Sequence, residues 1–252
     1  MLPLQRHQKI TALLKEHESI RTVETAKMLD VTDETIRKDF ELLESRGALF
    51  RVHGGATQTA RTRRHLPLHE RQIIQRAEKS AIAMAAVNLI NEGDTIFLDA
   101  SSTVLTMAES LPDMRMTVIS NAHDIFAVLE GKENIDLICT GGIYEPRSRS
   151  YVGLPAEQAL HRYNVRKMFF SGNGATLDRG VFEGNSRQAA FKERVIACSQ
   201  EKWLLADHTK LGTPASFFFS EIDGLTGLIT DKNADKKFLD TIKTRGVDVI
   251  TA

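Results

Sequence analysis

The stretch Ile96 to Val104, IFLDASSTV, ends an apolar run in an aspartate and a small residue, then sets out three hydroxyls that lead into a helical pattern. Hydroxyls and open amides at the start of a helix hold anions, phosphate above all. Comparable chemistry recurs three times: Ser120 and Asn121 after a second apolar run, Gly141 and Gly142 after a third, and ADHTKLG, Ala206 to Gly212, after the run containing Trp203. A diglycine alone is more often a plain turn. The weight rests on recurrence, because all four segments close strand-like runs and open α/β sheets bind ligands along that edge. Lys192, on a helical pattern from Ser186 to Ser199, either reaches an anion from one side of such a pocket or is a solvated lysine on an amphipathic helix. Arg147 and Arg149, in YEPRSRSYVG, either grip a phosphate or keep a surface loop soluble.

A second set of cations lies near the N-terminus, on TDETIRKDFELLESRG. Thr32 is a capping residue for a helix with Asp33 and Glu34 in its first turn, as the helix dipole favours, and Ile36, Phe40 and Leu43 form an inner stripe. That phasing turns Glu34, Arg37 and Lys38 outward, with Thr32 and Thr35 at the leading end. Arg and Lys read guanine or hold phosphate in a major groove, and Thr contacts a phosphate or a thymine methyl. Alone the stretch reads equally well as a surface helix laced with ion pairs.

Its neighbours decide between these. A helix from Gln5 to His17 carries Ile10, Leu13 and Leu14; a short extended link, Ile20 to Thr22, follows; Thr22 caps a second helix with Val23, Ala26 and Leu29 inward. After the helix of Ile36 and Phe40, ended at Arg46 and Gly47, Ala48 to Val52 is extended, Gly54 and Gly55 turn the chain, and Ala56 to Thr59 returns. Helix, short helix, helix and hairpin in that order predict a winged helix-turn-helix over residues 1–57, with Arg51 and His53 on the wing near the DNA backbone or minor groove. Residues 58–67, nearly devoid of apolar side chains and closed by Pro67, are predicted as a linker.

Residues 68–252 form the other predicted domain. A long helix from Leu68 to Ile90 is followed by strands at Thr95–Leu98, Thr117–Ser120, Ile135–Thr140, Lys167–Ser171, Lys202–Ala206, Leu225–Thr230 and Val247–Ile250, most of them separated by helical patterns. Alternation of this kind predicts an α/β fold with a mostly parallel, helix-covered sheet.

The whole chain, 252 residues with 42% hydrophobic and 26% charged, excludes disordered and collagen-like classes. Its formal charge of zero conceals a split: the first 76 residues hold 14 Lys and Arg against 10 Asp and Glu, leaving 19 against 23 beyond them. A cationic head on a mildly acidic body suits an anionic partner such as nucleic acid. The sequence shows neither a membrane span nor a signal peptide, which points to the cytoplasm. Cys139 and Cys198 lack disulfide or zinc spacing and are expected to be buried thiols. No cofactor or metal is expected.

Arg6, Ile10, Leu14, Thr32, Thr35, Ile36, Arg37, Lys38 and Asp39, with the RVHGGA wing at Arg51 to Ala56, make a combination that resembles the DeoR family of bacterial transcription regulators. The resemblance spans nearly the whole chain. It implies a C-terminal Rossmann-like sensor domain related to ribose-phosphate isomerases and CoA transferases, with a pocket lined by Asp99, Ser101, Ser102, Thr103, Asn121, Gly141, Gly142, Lys192, Asp207 and Lys210, beside which Arg147 is a further candidate. The family often has glycine at the positions of Ala100 and Ser101, and serine and phenylalanine at those of Thr209 and Leu211. DASST, a following LPD, the diglycine and a YV pair resemble the carbohydrate-regulating branch, most nearly its L-fucose regulators.

The related isomerases carry an acidic DGAD-type loop after a central strand, because their chemistry is proton transfer. The comparable loop here, Ser171 to Gly174, has no carboxylate, and none follows until Asp178; Asp99 and Glu183 are the alternative bases. The expectation is a non-enzymatic repressor that binds double-stranded operator DNA as a homo-oligomer, dimer or tetramer, because half-sites come in pairs. A small phosphorylated sugar is the expected effector. The alternatives are a sugar-phosphate isomerase or CoA-transferase-like enzyme with an accessory DNA-binding module, and an activator or architectural DNA binder.

Overall fold

A computed structural model describes residues 2–17, 19–45, 48–52, 54–57 and 68–252. The chain divides into two compact units, Met1–Leu66 and Pro67–Ala252. The helix end expected at Arg46 and Gly47, the wing residue His53 and the linker at 58–67 lie outside the described residues.

The first unit runs α1 (Pro3–His17), β1 (Ser19–Arg21), α2 (Thr22–Leu29), α3 (Asp33–Ser45), β2 (Phe50–Val52) and β3 (Gly55–Thr57). The three strands form one antiparallel sheet in the order β1-β3-β2, so the extended link is itself a strand of the wing sheet. Ile10, Leu14, Ala26, Leu29, Ile36, Phe40, Leu43, Leu49 and Ala56 make one core. This is a winged helix-turn-helix. Two local readings differ. Arg21, not Thr22, is the N-cap of α2, and Val23 is exposed while Thr25 is buried, because that register turns the Thr25 face inward.

In the second unit the expected long helix is two: α4 (Leu68–Ile73) and α5 (Arg76–Val87), broken where Gln75 takes the left-handed conformation with φ 51°. Seven strands then build one sheet: β4 (Thr95–Leu98), β5 (Met116–Ser120), β6 (Ile135–Cys139), β9 (Val165–Phe170), β12 (Ser199–Leu205), β14 (Gly227–Thr230) and β15 (Asp248–Thr251). Their order is β15-β14-β12-β9-β4-β5-β6 and every pairing is parallel. Helices α6 (Ser102–Glu109), α7 (His123–Leu129), α8 (Leu154–Leu160), α9 (Ser186–Ala197) and α10 (Lys236–Thr244) connect or cover them. Alternation along the strands sends Phe97, Met168, Phe170 and Leu204 into one core and Ile96, Leu98, Phe169 and Trp203 into the other, one core per face. Gly227 has no alternative here, since a Cβ on it would stand 2.3 Å from the Trp203 ring.

Short strands escaped the sequence reading: the hairpin β7 (Ile143–Glu145) with β8 (Ser150–Val152), and a sheet of β10 (Gly174–Thr176), β11 (Gly180–Glu183) and β13 (Phe217–Ser220). Neither cysteine is buried: Cys139, on the edge strand β6, is exposed and Cys198 is intermediate. No described helix is long and apolar enough to cross a membrane.

Candidate functional site

The sheet order reverses between β4 and β9. The chain runs outward from β4 through β5 to β6, returns to lay β9 on the other side of β4, and continues through β12. A crevice opens beyond the carboxyl ends of strands at such a switch point. Asp99, just past β4, and Ser171, just past β9, flank it, and Asn121, Gly141 and Asp207 follow β5, β6 and β12.

Asp99 is buried and holds the two lips together. Its Oδ1 accepts from the Ser101 amide at 3.1 Å and its Oδ2 from the Ser171 amide at 3.1 Å. Lys192, projected from α9, places Nζ 2.9 Å from Asp99 Oδ2 and donates to Glu183 Oε2 at 2.6 Å and to the Ser171 carbonyl at 2.6 Å. Lys192 is thus a buried counter-ion, 4% exposed, and not a solvated lysine. Burial opposes its charge, yet the attraction of Asp99 and Glu183 and their hydrogen bonds carry its pKa above the ordinary lysine value. Glu183, on β11, completes its own set by accepting from the Gly184 amide at 2.8 Å.

Ser101, Ser102 and Thr103 are all buried. Ser101 is the N-cap of α6, its hydroxyl accepting from the Val104 amide at 3.3 Å. Thr103 Oγ1 has no hydrogen-bond partner among the described residues. Lys210 donates to the Ser171 hydroxyl at 2.8 Å, and Asp207 caps the short 3-10 helix His208–Lys210 by accepting from the Thr209 amide at 3.1 Å. Lys192, Lys210, Asp99 and Ser171 therefore meet through shared partners.

Asn121 and the diglycine stand further along the edge. The Asn121 side chain donates to the Tyr151 carbonyl at 2.9 Å, tying β5 to the β7–β8 hairpin. Gly142 is a packing requirement: at φ 115° a Cβ would lie 2.8 Å from the Ala156 Cβ, whereas Gly141 faces open space. Of the two hairpin arginines, Arg149 is committed to Asp124, Nη2 to Oδ1 at 2.6 Å, while Arg147 is exposed and its carbonyl accepts from the Leu68 amide at 3.3 Å. Glu145 anchors the hairpin to α9, accepting from Gln188 at 3.0 Å and Asn185 at 2.8 Å.

Arg71, on α4, is the cation sequence reasoning missed. Burial pushes its guanidinium below the ordinary arginine value, against the attraction of Glu183 and Asp99 and with the repulsion of Arg147. Its helical spacing gave no signal separating it from a surface arginine.

In the first unit, Thr32 Oγ1 accepts from the Thr35 amide at 3.2 Å and lies 2.9 Å from the Thr35 hydroxyl, so the pair caps α3. Arg37 and Lys38 are exposed, Arg37 only 3.8 Å from Glu34, a loose pair with both side chains 65% exposed. Arg51 leans back on α3, 3.9 Å from both Glu41 and Glu44. Behind this face Asp39 is buried and binds Arg6 and His7, the latter at 2.8 Å. Burial opposes its charge, but the Arg6 and His7 hydrogen bonds hold its carboxyl below the usual range.

The model of the DeoR-like helix-turn-helix domain matches residues 6–62, and that of the DeoR C terminal sensor domain matches residues 74–232. An HTH-type transcriptional regulator of Bacillus subtilis, YulB, is 38% identical over 99% of this chain and 96% of its own. The lactose phosphotransferase system repressor of Streptococcus mutans is 34% identical over 92% and 94%. Among solved structures, ribose 5-phosphate isomerase A of Methanocaldococcus jannaschii is similar over 53% of each chain, with 18% identity and a TM-score of 0.40.

Proposed function

Because the chain belongs to the DeoR family of DNA-binding transcriptional regulators, we propose that it is a repressor of a carbohydrate operon whose operator affinity changes when a phosphorylated sugar enters the α/β unit. The observation that carries this reading is the switch-point crevice, where Lys192 and Lys210 meet at Ser171 and Asp99, and the buried Ser101–Thr103 hydroxyls open the helix that follows Asp99. The relative named as a lactose phosphotransferase system repressor supports both the repressor sense and the sugar class. In the first unit Thr32, Glu34, Thr35, Arg37 and Lys38 meet the major groove, and Arg51 exchanges its helix carboxylates for phosphate. Two half-sites call for a homo-oligomer, and a regulator of DNA in a bacterium works in the cytoplasm.

Binding rather than turnover suits the pocket. An isomerase needs a carboxylate free to take a proton from carbon. Asp99 Oδ2 already accepts from Lys192 and the Ser171 amide, and Glu183 Oε2 from Lys192, so both are committed to internal partners. A sensor needs only unequal affinity for two states, about 1–3 kcal/mol for a useful response.

The test is a gel shift with DNA flanking the protein's own coding region, titrated with ribose 5-phosphate, fructose 1-phosphate, fructose 6-phosphate and the free sugars. A phosphorylated sugar should alter operator affinity and emerge unchanged. Efficient conversion of one of these substrates, lost in Asp99→Asn, would replace the sensor with an enzyme.

A further inference from the structure

Among the described residues, Arg71 presents at its Nε a charged-group atom near the crevice that the internal hydrogen-bond network does not satisfy. Its Nε is out of contact with solvent and has no hydrogen-bond partner among the described residues. Asp99 and Glu183 are near enough to attract it, but their oxygens are taken by Lys192 and by the amides of Ser101, Ser171 and Gly184. Arg147 adds repulsion. A buried donor without a partner is unfavourable, and a guanidinium is built to hold a phosphate through two parallel hydrogen bonds.

The helix that carries Arg71 is placed for such a role. α4 packs on α6, the helix that opens with Ser102 and Thr103. Thr103 Oγ1 is itself fully buried and unpartnered among the described residues, a second polar atom with nothing to bind. Leu68 seats α4 in the core, and Lys79 fastens its end by donating to the carbonyls of Arg71 and, at 2.7 Å, Ile74. α4 is also the first element after residues 58–67, which join it to the DNA-binding unit in sequence.

Building on the effector reading above, we propose that Arg71 is a further anion-binding residue of the pocket, and that by gripping the effector's phosphate it ties α4, the helix adjoining the interdomain segment, to the occupied site. A ligand shifts a conformational equilibrium only through contacts that differ between states. Arg71 supplies such a contact on the element best connected to the DNA reader.

The experiment follows thermal unfolding of the full chain by the fluorescence of its one tryptophan, Trp203, which lies in the seven-stranded sheet. Wild type, Arg71→Gln and Arg71→Lys are compared without ligand, with inorganic phosphate against chloride at equal ionic strength, and with ribose 5-phosphate, fructose 1-phosphate and fructose 6-phosphate. Unliganded Arg71→Gln should melt no lower than wild type, because desolvation outweighs the attraction of Asp99 and Glu183 for the Arg71 charge, and its Nε makes no hydrogen bond among the described residues. Its affinity for the phosphorylated ligand should fall at least about tenfold, as the loss of a charged hydrogen bond implies, with Arg71→Lys between the two. In gel shifts the ligand should alter operator binding by wild type and not by Arg71→Gln. Equal phosphate binding by wild type and Arg71→Gln, or a marked loss of stability in unliganded Arg71→Gln, would overturn the proposal. If inorganic phosphate stabilises wild type through Arg71 and none of the sugar phosphates does, Arg71 stands and the sugar-phosphate reading falls. If nothing stabilises wild type, both fall.

Discussion

Replacing Lys192 with methionine, a side chain of similar length without charge, should expose how the crevice is held together. The ammonium satisfies three acceptors at once: Glu183 at 2.6 Å, the Ser171 carbonyl at 2.6 Å and Asp99 at 2.9 Å. Lys192→Met leaves two buried carboxylates facing one another without their shared cation. Breaking a buried pair by removing one partner costs about 3–5 kcal/mol. The cost stays in that range, not double it, because Asp99 keeps the Ser101 and Ser171 amides and Glu183 keeps the Gly184 amide. For a unit of this size the melting temperature should fall by roughly 6–20 °C, at about 2–4 °C per kcal/mol. Trp203 fluorescence isolates the transition to the α/β unit, which matters because a two-unit chain need not unfold in one step. The defect should also depend on pH. Without the ammonium the two buried like charges repel one another, and protonating either relieves the repulsion. The gap between wild type and variant should therefore narrow from about pH 8 to about pH 5, and Glu183→Gln in the Lys192→Met background should recover part of the loss. In the wild type the raised Lys192 pKa acts in the same sense, its stabilisation present at neutral pH and lost only as pH climbs through the folded value. A loss under about 1 kcal/mol, or one indifferent to pH, would refute the view of Lys192 as the charge clamp of the pocket.

Three further outcomes follow from the same geometry. Arg37→Ala should weaken operator binding by about 1–3 kcal/mol and relax preference at one base pair if it reads guanine, and an unchanged gel shift would remove it from the DNA face. Asp39→Asn should unsettle the winged helix by about 3–5 kcal/mol, because it takes the carboxylate charge from the buried Arg6 and weakens the His7 contact. Asp39's depressed pKa makes its contribution present above the ordinary carboxylate value and lost as pH falls below it, so wild-type operator binding should fail in acid at a lower pH than its surface carboxylates titrate. Gly142→Ala should lower the Trp203-reported melting temperature, since its Cβ would stand 2.8 Å from both Ala156 Cβ and the Val152 carbonyl at a φ of 115°; an unshifted melt would mean the β6–β7 connection yields freely.

The central strands were legible because they are buried on both faces and therefore apolar in unbroken runs, as in Ile96 to Leu98 and Met168 to Phe170. The three-residue strands β7, β8 and β10 are too short to show a period, and with β11 they decide where Glu183 and the hairpin arginines stand. The break at Gln75 carries neither glycine nor proline, so the pattern over Leu68 to Ile90 reads as one helix; only the seating of Lys79 on the carbonyls of Arg71 and Ile74 explains the stop. Asp39 and Arg6 were visible as motif residues but not as a pair, being 33 positions apart. Lys192 was ambiguous for the same reason: amphipathic spacing says which side of a helix is wet, and it cannot say that a lysine at the boundary points at two carboxylates brought from β4 and β11.

The two ends of the central strand pair differ in how their buried charges are met. Below, Lys167 of β9 meets Asp94 just before β4 at 2.6 Å, both side chains are at most 4% exposed, and Lys167 adds the Leu89 carbonyl at 2.8 Å while Arg166 covers the other Asp94 oxygen at 3.3 Å. Each charge there has its opposite, although Asp94 Oδ1 itself makes no hydrogen bond among the described residues. Above, Lys192 is satisfied by Asp99 and Glu183 in the same manner, but Arg71 Nε and the Thr103 hydroxyl have no hydrogen-bond partner among the described residues. Desolvation opposes the Arg71 charge by more than Glu183 and Asp99 favour it. An anion bound there, as proposed above, would offset that cost and add charged hydrogen bonds, and so would favour the filled state.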